Sequence, residues 1–423
     1  MLITSRHPDW DELATLVPVD VFTRPESIAL LRRRVPELIN RDADRIADAL
    51  GDLPLALSQA AAHLANTGLS PDDYLSLLKD RAEELLAKKP PPTYQVPLAA
   101  SYQIAFDRLA FDSPAALDLL TLAAHLGPEP IPLTLFTAHP NQLPAPLASA
   151  ARDPLAFTDL TQQLRRRALA RVTPETLHLH RLLAALLRAQ PHPSAARRSA
   201  LLSALRRRRP RKSNMATRAG RLLRVAVPSE PWYNPAAWPA WQQLLPHVLA
   251  ATDPTRPLDD ADDLAWLLDR AATYLHTRGE PALARPLFGR ALGLRRAVHG
   301  NDHLDTLTSA SNLARNLHAL GEYAAARELN EDTLTRCRRM FGDDHPDTLI
   351  SASNLARDLW ALGENAAACR LDEDILSRRR RVLGDDHPDT LISANNLAAD
   401  LSALGRDEEA SALEEWMLGL KRS

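Results

Sequence analysis

Histidine and aspartate recur together in the last third of the chain, and both residue types can bind metal ions. The three pairs are His303 with Asp305, His345 with Asp347, and His387 with Asp389. Successive pairs are 42 residues apart, so we expect each in a separate loop, too far from the others to share one ion. Because aspartate beside a helix start is a typical capping pattern, we predict that these residues cap helices and that no metal is bound.

A second recurring set could bind a peptide. Asn312, Asn354 and Asn396 follow the same 42-residue spacing. The asparagine amide offers both a hydrogen-bond donor and an acceptor, which suits the backbone of an extended peptide. Neighbouring polar positions complete the predicted partner-binding set, namely Arg315, Arg357, Asp358 and Asp400. The alternative is that these side chains cap or bridge neighbouring helices.

A sequence repeat positions both sets. Gly300, Gly342 and Gly384 each open a near-copy of the phrase G-D-D-H-P-D-T, and the leucines and alanines between them follow helical spacing. Self-similarity at such a period is typical of stacked supersecondary units. The pattern predicts four helix pairs, over about 262–299, 303–341, 345–383 and 387–421. Units of this kind bury their apolar faces against each other and expose an extended surface to partners.

These repeats resemble the tetratricopeptide repeat, in the longer form of the kinesin light chains. With Gly321 as the turn glycine, the signature positions of the family hold Leu313, Ala314, Leu317, Leu320, Tyr323 and Ala326. The resemblance covers residues 262–421 and implies an α-solenoid whose first helices line a concave groove. In similar proteins that groove binds peptides, so the resemblance implies that the asparagine set faces a protein or peptide partner.

Composition excludes several classes of protein. The chain has 423 residues and a net charge of −2, so we expect several domains and no global field towards nucleic acid or membrane. Its two cysteines are too few for a disulfide framework and fit a reducing compartment. The chain has neither a signal peptide nor an apolar stretch long enough for a membrane span. We therefore predict a cytoplasmic protein.

Four segments of the front half occur in an order known from one family. They are 2–6, 51–57 (which reads G-D-L-P-L-A-L), 99–135 and 177–183. Together they resemble the later part of the NB-ARC nucleotide switches, which belong to the STAND class of signalling ATPases, here of an actinobacterial type. The resemblance implies a core remnant at 1–10, a helical lid at 11–88 and a winged-helix domain at 93–190. With the solenoid, it makes the predicted fold mostly α.

The same resemblance implies roles in nucleotide sensing. Arg6 matches the arginine that senses the γ-phosphate, Pro54 the proline that meets the adenine, and His180 the histidine that reaches the β-phosphate of ADP. Arg181 departs from the aspartate that plant relatives carry. The alternative interpretations are that Arg6 lies on the surface, that Pro54 only breaks a helix, and that His180 is a packed histidine.

The front half lacks the sequence that would bind phosphate. A phosphate-binding loop needs G-x-x-x-x-G-K-[ST], and no such sequence occurs in the chain. Met1 falls inside what would be the fourth core strand of the family, which suggests an N-terminally truncated switch. We therefore predict that this chain is not an enzyme and binds no cofactor by itself. ADP or ATP would belong to an intact family member.

Arginine is concentrated between the two halves. Residues 161–229 hold 16 arginines and one acid, with Arg206–Arg209 the densest part. Such a belt could bind DNA phosphates together with the winged helix, but it has no aromatic residues for base stacking, and nucleic acid is not the predicted partner. We interpret 191–261 as a basic linker with aromatic-rich bridging helices, and 262–423 as four repeats.

The predicted function is a regulatory adaptor whose repeats bind a protein or peptide. The alternatives are a DNA-binding regulator, or a full ATPase switch if the gene is truncated. Oligomerisation is left open.

Overall fold

The computed structural model describes residues 21–86, 98–167, 169–189, 215–232, 234–255 and 260–420. Within these ranges the chain is mostly α-helical, as predicted, and divides into two compact units. The first unit takes in 1–227 and 244–259, and the second takes in 228–243 and 260–423. The predicted core remnant with Arg6, and the Arg206–Arg209 run, lie outside the described residues.

The first unit is built from short helices, many of which begin at proline. Proline suits the first turn because its missing N–H has no partner there in any case. The helices are α1 (Arg24–Arg34), α2 (Asn40–Leu50), α3 (Pro54–Thr67), α4 (Pro71–Leu86), α5 (Leu98–Asp112), α6 (Pro114–Ala123), α7 (Thr134–Thr137), α8 (Ala145–Arg152), α9 (Pro154–Arg166), α10 (Arg181–Ala189) and α11 (Met215–Ala226). The next helix, α12 (Trp238–Ala251), has residues in both units.

One apolar core joins the first four helices to α10. Leu31, Ile46 and Leu57 of α1, α2 and α3 are fully buried in it, and Leu182 and Leu186 of α10 complete it. The shared core explains how residues distant in sequence are held together in this unit.

A small antiparallel sheet lies between α6 and α10 in the chain. Its strands are β1 (Ile131–Pro132), β2 (Arg171–Val172) and β3 (Thr176–His178), in the spatial order β1-β3-β2. Leu177 is central, opposite Ile131 on one side and Val172 on the other. The chain order is therefore helix, strand, helices, strand, turn and strand.

The second unit contains the repeats as four helix pairs. They are α13 (Ala261–Thr277) with α14 (Pro281–His299), α15 (Leu304–Ala319) with α16 (Tyr323–Phe341), α17 (Pro346–Ala361) with α18 (Asn365–Leu383), and α19 (Pro388–Ala403) with α20 (Asp407–Leu420). These bounds match the predicted pairs closely. Gly363 follows α17 with φ +77°, a conformation that favours glycine and ends the helix.

Small and branched apolar side chains pack the pairs against each other. Ala368 of α18 is fully buried, and it packs with Leu334 of α16 and Leu355 of α17 in one cluster. Cys337 and Cys369 are buried free thiols, so they fill space in the core of the repeats. In the part of the chain described here, no helix combines the length and apolarity needed to cross a bilayer.

Candidate functional site

The recurring histidines cap the first helices of the repeats. In each case the imidazole Nδ1 accepts a hydrogen bond from the backbone N–H two residues later, which satisfies one orphan donor of the helix start. The bonds are His303 with Asp305 at 3.2 Å, His345 with Asp347 at 3.3 Å, and His387 with Asp389 at 3.1 Å. The predicted capping role is confirmed.

The asparagine ladder is not uniform. Asn312 is 7% exposed, and its Nδ2 donates to both carboxylate oxygens of Asp269 on α13, at 3.3 and 3.2 Å. Asn354 is equally buried, and its Nδ2 has no hydrogen-bond partner among the described residues. Asn396 is exposed. Asn312 therefore bridges two helices, and Asn396 is the ladder residue that a partner can reach.

Asp358 and Asp400 require a correction. Asp358 has 0% exposure and accepts hydrogen bonds from His318 Nδ1 at 2.7 Å and Asn330 Nδ2 at 2.6 Å. Asp400 is 3% exposed and faces Asp372 of α18. Both carboxylates thus lie between helices, and their assignment to the partner-binding surface was wrong because polar groups that are saturated or enclosed by the fold are not available to a ligand.

The two arginines of the set are half-buried. The Arg315 guanidinium lies over the Trp232 ring, 4.6 Å from its centroid, and Arg357 is half-buried on α17. A guanidinium placed on an aromatic face keeps its charge and several N–H donors.

Two exposed isoleucines were missed by sequence reasoning. Ile350 on α17 is 42% exposed and Ile392 on α19 is 53% exposed. Each lies four residues before a ladder asparagine, so it shares that helix face. We call Ile350, Arg357, Ile392 and Asn396 the first-helix stripe. The signal was present in the sequence, because apolar residues replace Thr308 at this position of the repeat.

In the first unit the structure brings His180 next to the segment that contains Pro54. His180 Nε2 lies 3.0 Å from the carbonyl oxygen of Gly51, three residues before Pro54. His180 Nδ1 accepts the backbone N–H of Leu182 at 3.2 Å, so Nε2 carries the proton and donates to Gly51. Burial lowers the pKa of His180, which favours this neutral form.

Gly51 is required for this contact. Its φ of +62° lies in the left-handed region, and a Cβ there would overlap His180 Nε2. The turn continues through Asp52, which also has a positive φ of 57°. Pro54 then begins α3, where its ring costs no hydrogen bond.

Ion pairs hold the same turn from both sides. Arg24 on α1 donates to Asp52 from Nε at 3.0 Å, and it also reaches Asp44 and Asp48 on α2. Arg181, the residue that departs from the resembled family, donates to Asp48 at 2.8 Å. Residues 48–52 are thus held between α1 and the start of α10.

Comparison with known proteins identifies the repeats. Models of the tetratricopeptide repeat match residues 264–305, 306–347 and 347–423. The C-terminal repeats are tetratricopeptide repeats. They indicate a role in protein–protein interaction. No curated protein matches the chain.

Several solved structures are similar to the chain at low identity. One is a putative kinesin light chain from Podosopora anserina, with nearly identical TPR-like repeats. Its sequence is 23% identical to this chain, the alignment covers 55% of this chain and 100% of the Podosopora chain, and the TM-score is 0.38. BtubC (BKLC) from P. vanneervenii is 17% identical over 54% of this chain and 86% of its own, with a TM-score of 0.38. A Signal Transduction ATPase with Numerous Domains (STAND) protein with a tetratricopeptide repeat sensor, from Pyrococcus horikoshii, is 12% identical over 95% of this chain and 61% of its own, with a TM-score of 0.34.

Proposed function

We propose that this chain is a cytoplasmic regulatory adaptor that binds an extended protein segment along the first-helix stripe. The observation that carries the proposal is the pairing of exposed isoleucines with polar residues on successive first helices. Ile350 and Arg357 share one face of α17, and Ile392 and Asn396 share the matching face of α19. Apolar side chains left at the surface beside hydrogen-bonding groups are typical of peptide-binding surfaces.

The chemistry of the stripe favours a peptide in an extended conformation. The isoleucines would take up apolar side chains of the ligand, and the exposed amide of Asn396 would bond to its backbone.

The experiment is a peptide-display selection on the full chain, followed by anisotropy titration of the selected peptides. Ile350→Ser with Ile392→Ser should weaken binding about tenfold or more, because two apolar contacts are lost. The matched control is Met340→Ser with Val382→Ser, since these side chains are 50% and 46% exposed on the second helices α16 and α18. The proposal fails if no peptide is selected, or if both double variants weaken binding equally.

We further propose that the first unit derives from an NB-ARC-like switch, with the Gly51–His180 contact as its latch. The support is the order of helices and strands from α6 to β3, which agrees with the order expected for a winged helix, and the meeting of two segments that the resemblance singled out. The sequence contains no phosphate-binding loop, so the chain would act by binding and would not hydrolyse ATP. Calorimetric titration with ADP and ATP tests this, and release of phosphate from ATP by the purified chain would contradict it.

A further inference from the structure

Three potential metal ligands meet where the first helix pair joins the second. They are Asp262 in the first turn of α13, His299 at the end of α14 and Asp305 in the first turn of α15. One donor atom from each lies within 4.8 Å of the others, and His299 Nε2 is 3.1 Å from Asp262 Oδ1. The group combines an imidazole with two carboxylates, and each ligand comes from a different helix.

The spacing suits a small divalent ion. Bonds of about 2.0–2.2 Å in a tetrahedral site hold ligand atoms about 3.3 Å apart, so the His299–Asp262 pair already has this separation. Arg295, which is 6% exposed, forms an ion pair with Asp305, in which Nη1 lies 3.2 Å from Oδ1. A buried arginine in that position would orient the carboxylate, as partners behind metal ligands commonly do.

Two of the three positions hold no potential ligand in the later repeats, and only the position of Asp305 keeps its aspartate. His299 corresponds to Phe341 and Leu383, and Asp262 corresponds to Leu304, Pro346 and Pro388. Phe341 stacks on the capping His345 with 4.7 Å between ring centroids, as His299 stacks on His303 at 4.4 Å. An aromatic ring is therefore enough for packing at this point of the repeat. The imidazole and the facing aspartate add a donor set that packing does not require.

We propose that Asp262, His299 and Asp305 form a site for a divalent transition-metal ion, with Zn²⁺ as the representative ion. Imidazole favours zinc over magnesium, and two carboxylates complete three protein ligands with a position open to water. The ion would link α13, α14 and α15 and so fix the first helix pair to the second. This inference is independent of the proposed peptide binding and of the switch.

Calorimetric titration of the full chain with ZnCl2 tests the site. The wild type should bind one more equivalent than His299→Phe, a variant that copies Phe341 of the next repeat and keeps the ring stack. Asp262→Asn should lose the same equivalent, and circular dichroism should show unchanged helix content in both. Asp347→Asn is the matched control, because Asp347 occupies the position of Asp305 in a junction without the other two ligands; it should bind as the wild type does.

Thermal unfolding with and without ZnCl2 gives a second measurement that does not depend on counting sites. Zinc should raise the unfolding temperature of the wild type and of Asp347→Asn, and should raise that of His299→Phe less. The proposal is overturned if His299→Phe and Asp262→Asn keep the full zinc stoichiometry. It is also overturned if MgCl2 stabilises the wild type as much as ZnCl2 does, because the imidazole would then have no part in binding.

Discussion

Asp372→Asn should make the last helix pair more stable and remove an unusual dependence on pH. Asp372 of α18 and Asp400 of α19 are 4% and 3% exposed and face each other. In the preceding repeat the same two positions hold Asn330 and Asp358, and Asn330 donates to Asp358 at 2.6 Å. The substitution therefore copies an arrangement that the fold already contains. It replaces a carboxyl that must keep a proton with an amide that always carries donors.

The change of the unfolding free energy with pH follows from the difference in bound protons between the folded and unfolded chain. Burial, followed by the charge of the facing Asp400, raises the pKa of Asp372 from 3.8 to about 8. A folded-state pKa above the unfolded value means that the folded chain binds more protons between these two pH values. The contribution to stability is therefore complete below about pH 4 and falls by about 1.4 kcal/mol per pH unit as the pH rises to about 8. Burial also raises the pKa of Asp400, so the two carboxyls titrate as a pair, and the loss between pH 4 and pH 7 is on the order of a few kcal/mol, which is the upper limit for the gain from Asp372→Asn.

Urea unfolding at pH 5.5, 7.0 and 8.5, followed by tryptophan fluorescence, measures this effect. The difference in unfolding free energy between Asp372→Asn and the wild type should widen with pH. Glu408→Gln, an exposed acid on α20, should keep the pH profile of the wild type. If the two profiles of wild type and Asp372→Asn run parallel across this range, the buried acid pair does not share a proton and the reasoning is refuted.

Two further substitutions test the latch and the caps. Gly51→Ala should lower the free energy of unfolding in urea by more than about 2 kcal/mol, because the left-handed backbone and the overlap with His180 both oppose a Cβ. Adding His180→Ala should recover part of that loss. If the losses of the two single variants simply add in the double variant, the overlap is contradicted. His387→Ala should cost about 1 kcal/mol through loss of the α19 cap, whereas His387→Asn should keep an acceptor and cost less; equal losses would show that the imidazole acts by packing.

Much of the second unit could be predicted from the sequence because the same 42-residue pattern occurs in several copies. The spacing of glycine, proline and leucine fixed the helix pairs, and Gly363 with its positive φ ends α17 where the pattern places the turn. The histidine caps could be predicted for the same reason, since each stands directly before a helix start. The first unit has no repeat to compare, and the resemblance implied only the bounds of whole segments and not those of single helices.

The surface was harder to predict than the scaffold. Asn312, Asn354 and Asn396 occupy equivalent positions, yet the first bonds to Asp269 and the last is exposed. The difference arises because Asp269 is replaced by Ser311 and Ser353 in the following repeats, which changes what the amide can reach. A helical wheel places a residue on a face, but the partner on the adjacent helix decides whether it is buried. The same limit explains why Asp358 was assigned to the groove although His318 and Asn330 enclose it.

Residues that differ from their equivalents in the neighbouring repeats change the properties of single helix junctions. In a solenoid each unit touches only its neighbours, so stability is close to a sum of unit and interface contributions. A substitution at one junction therefore acts there without disturbing the rest. Asp372 in place of the asparagine of the preceding repeat weakens one interface, that of α18 with α19, and His299 in place of phenylalanine creates a donor set at another. Because α19 also contributes Ile392 and Asn396 to the first-helix stripe, we expect a loss of order at the acid pair as the pH rises to act on that part of the stripe.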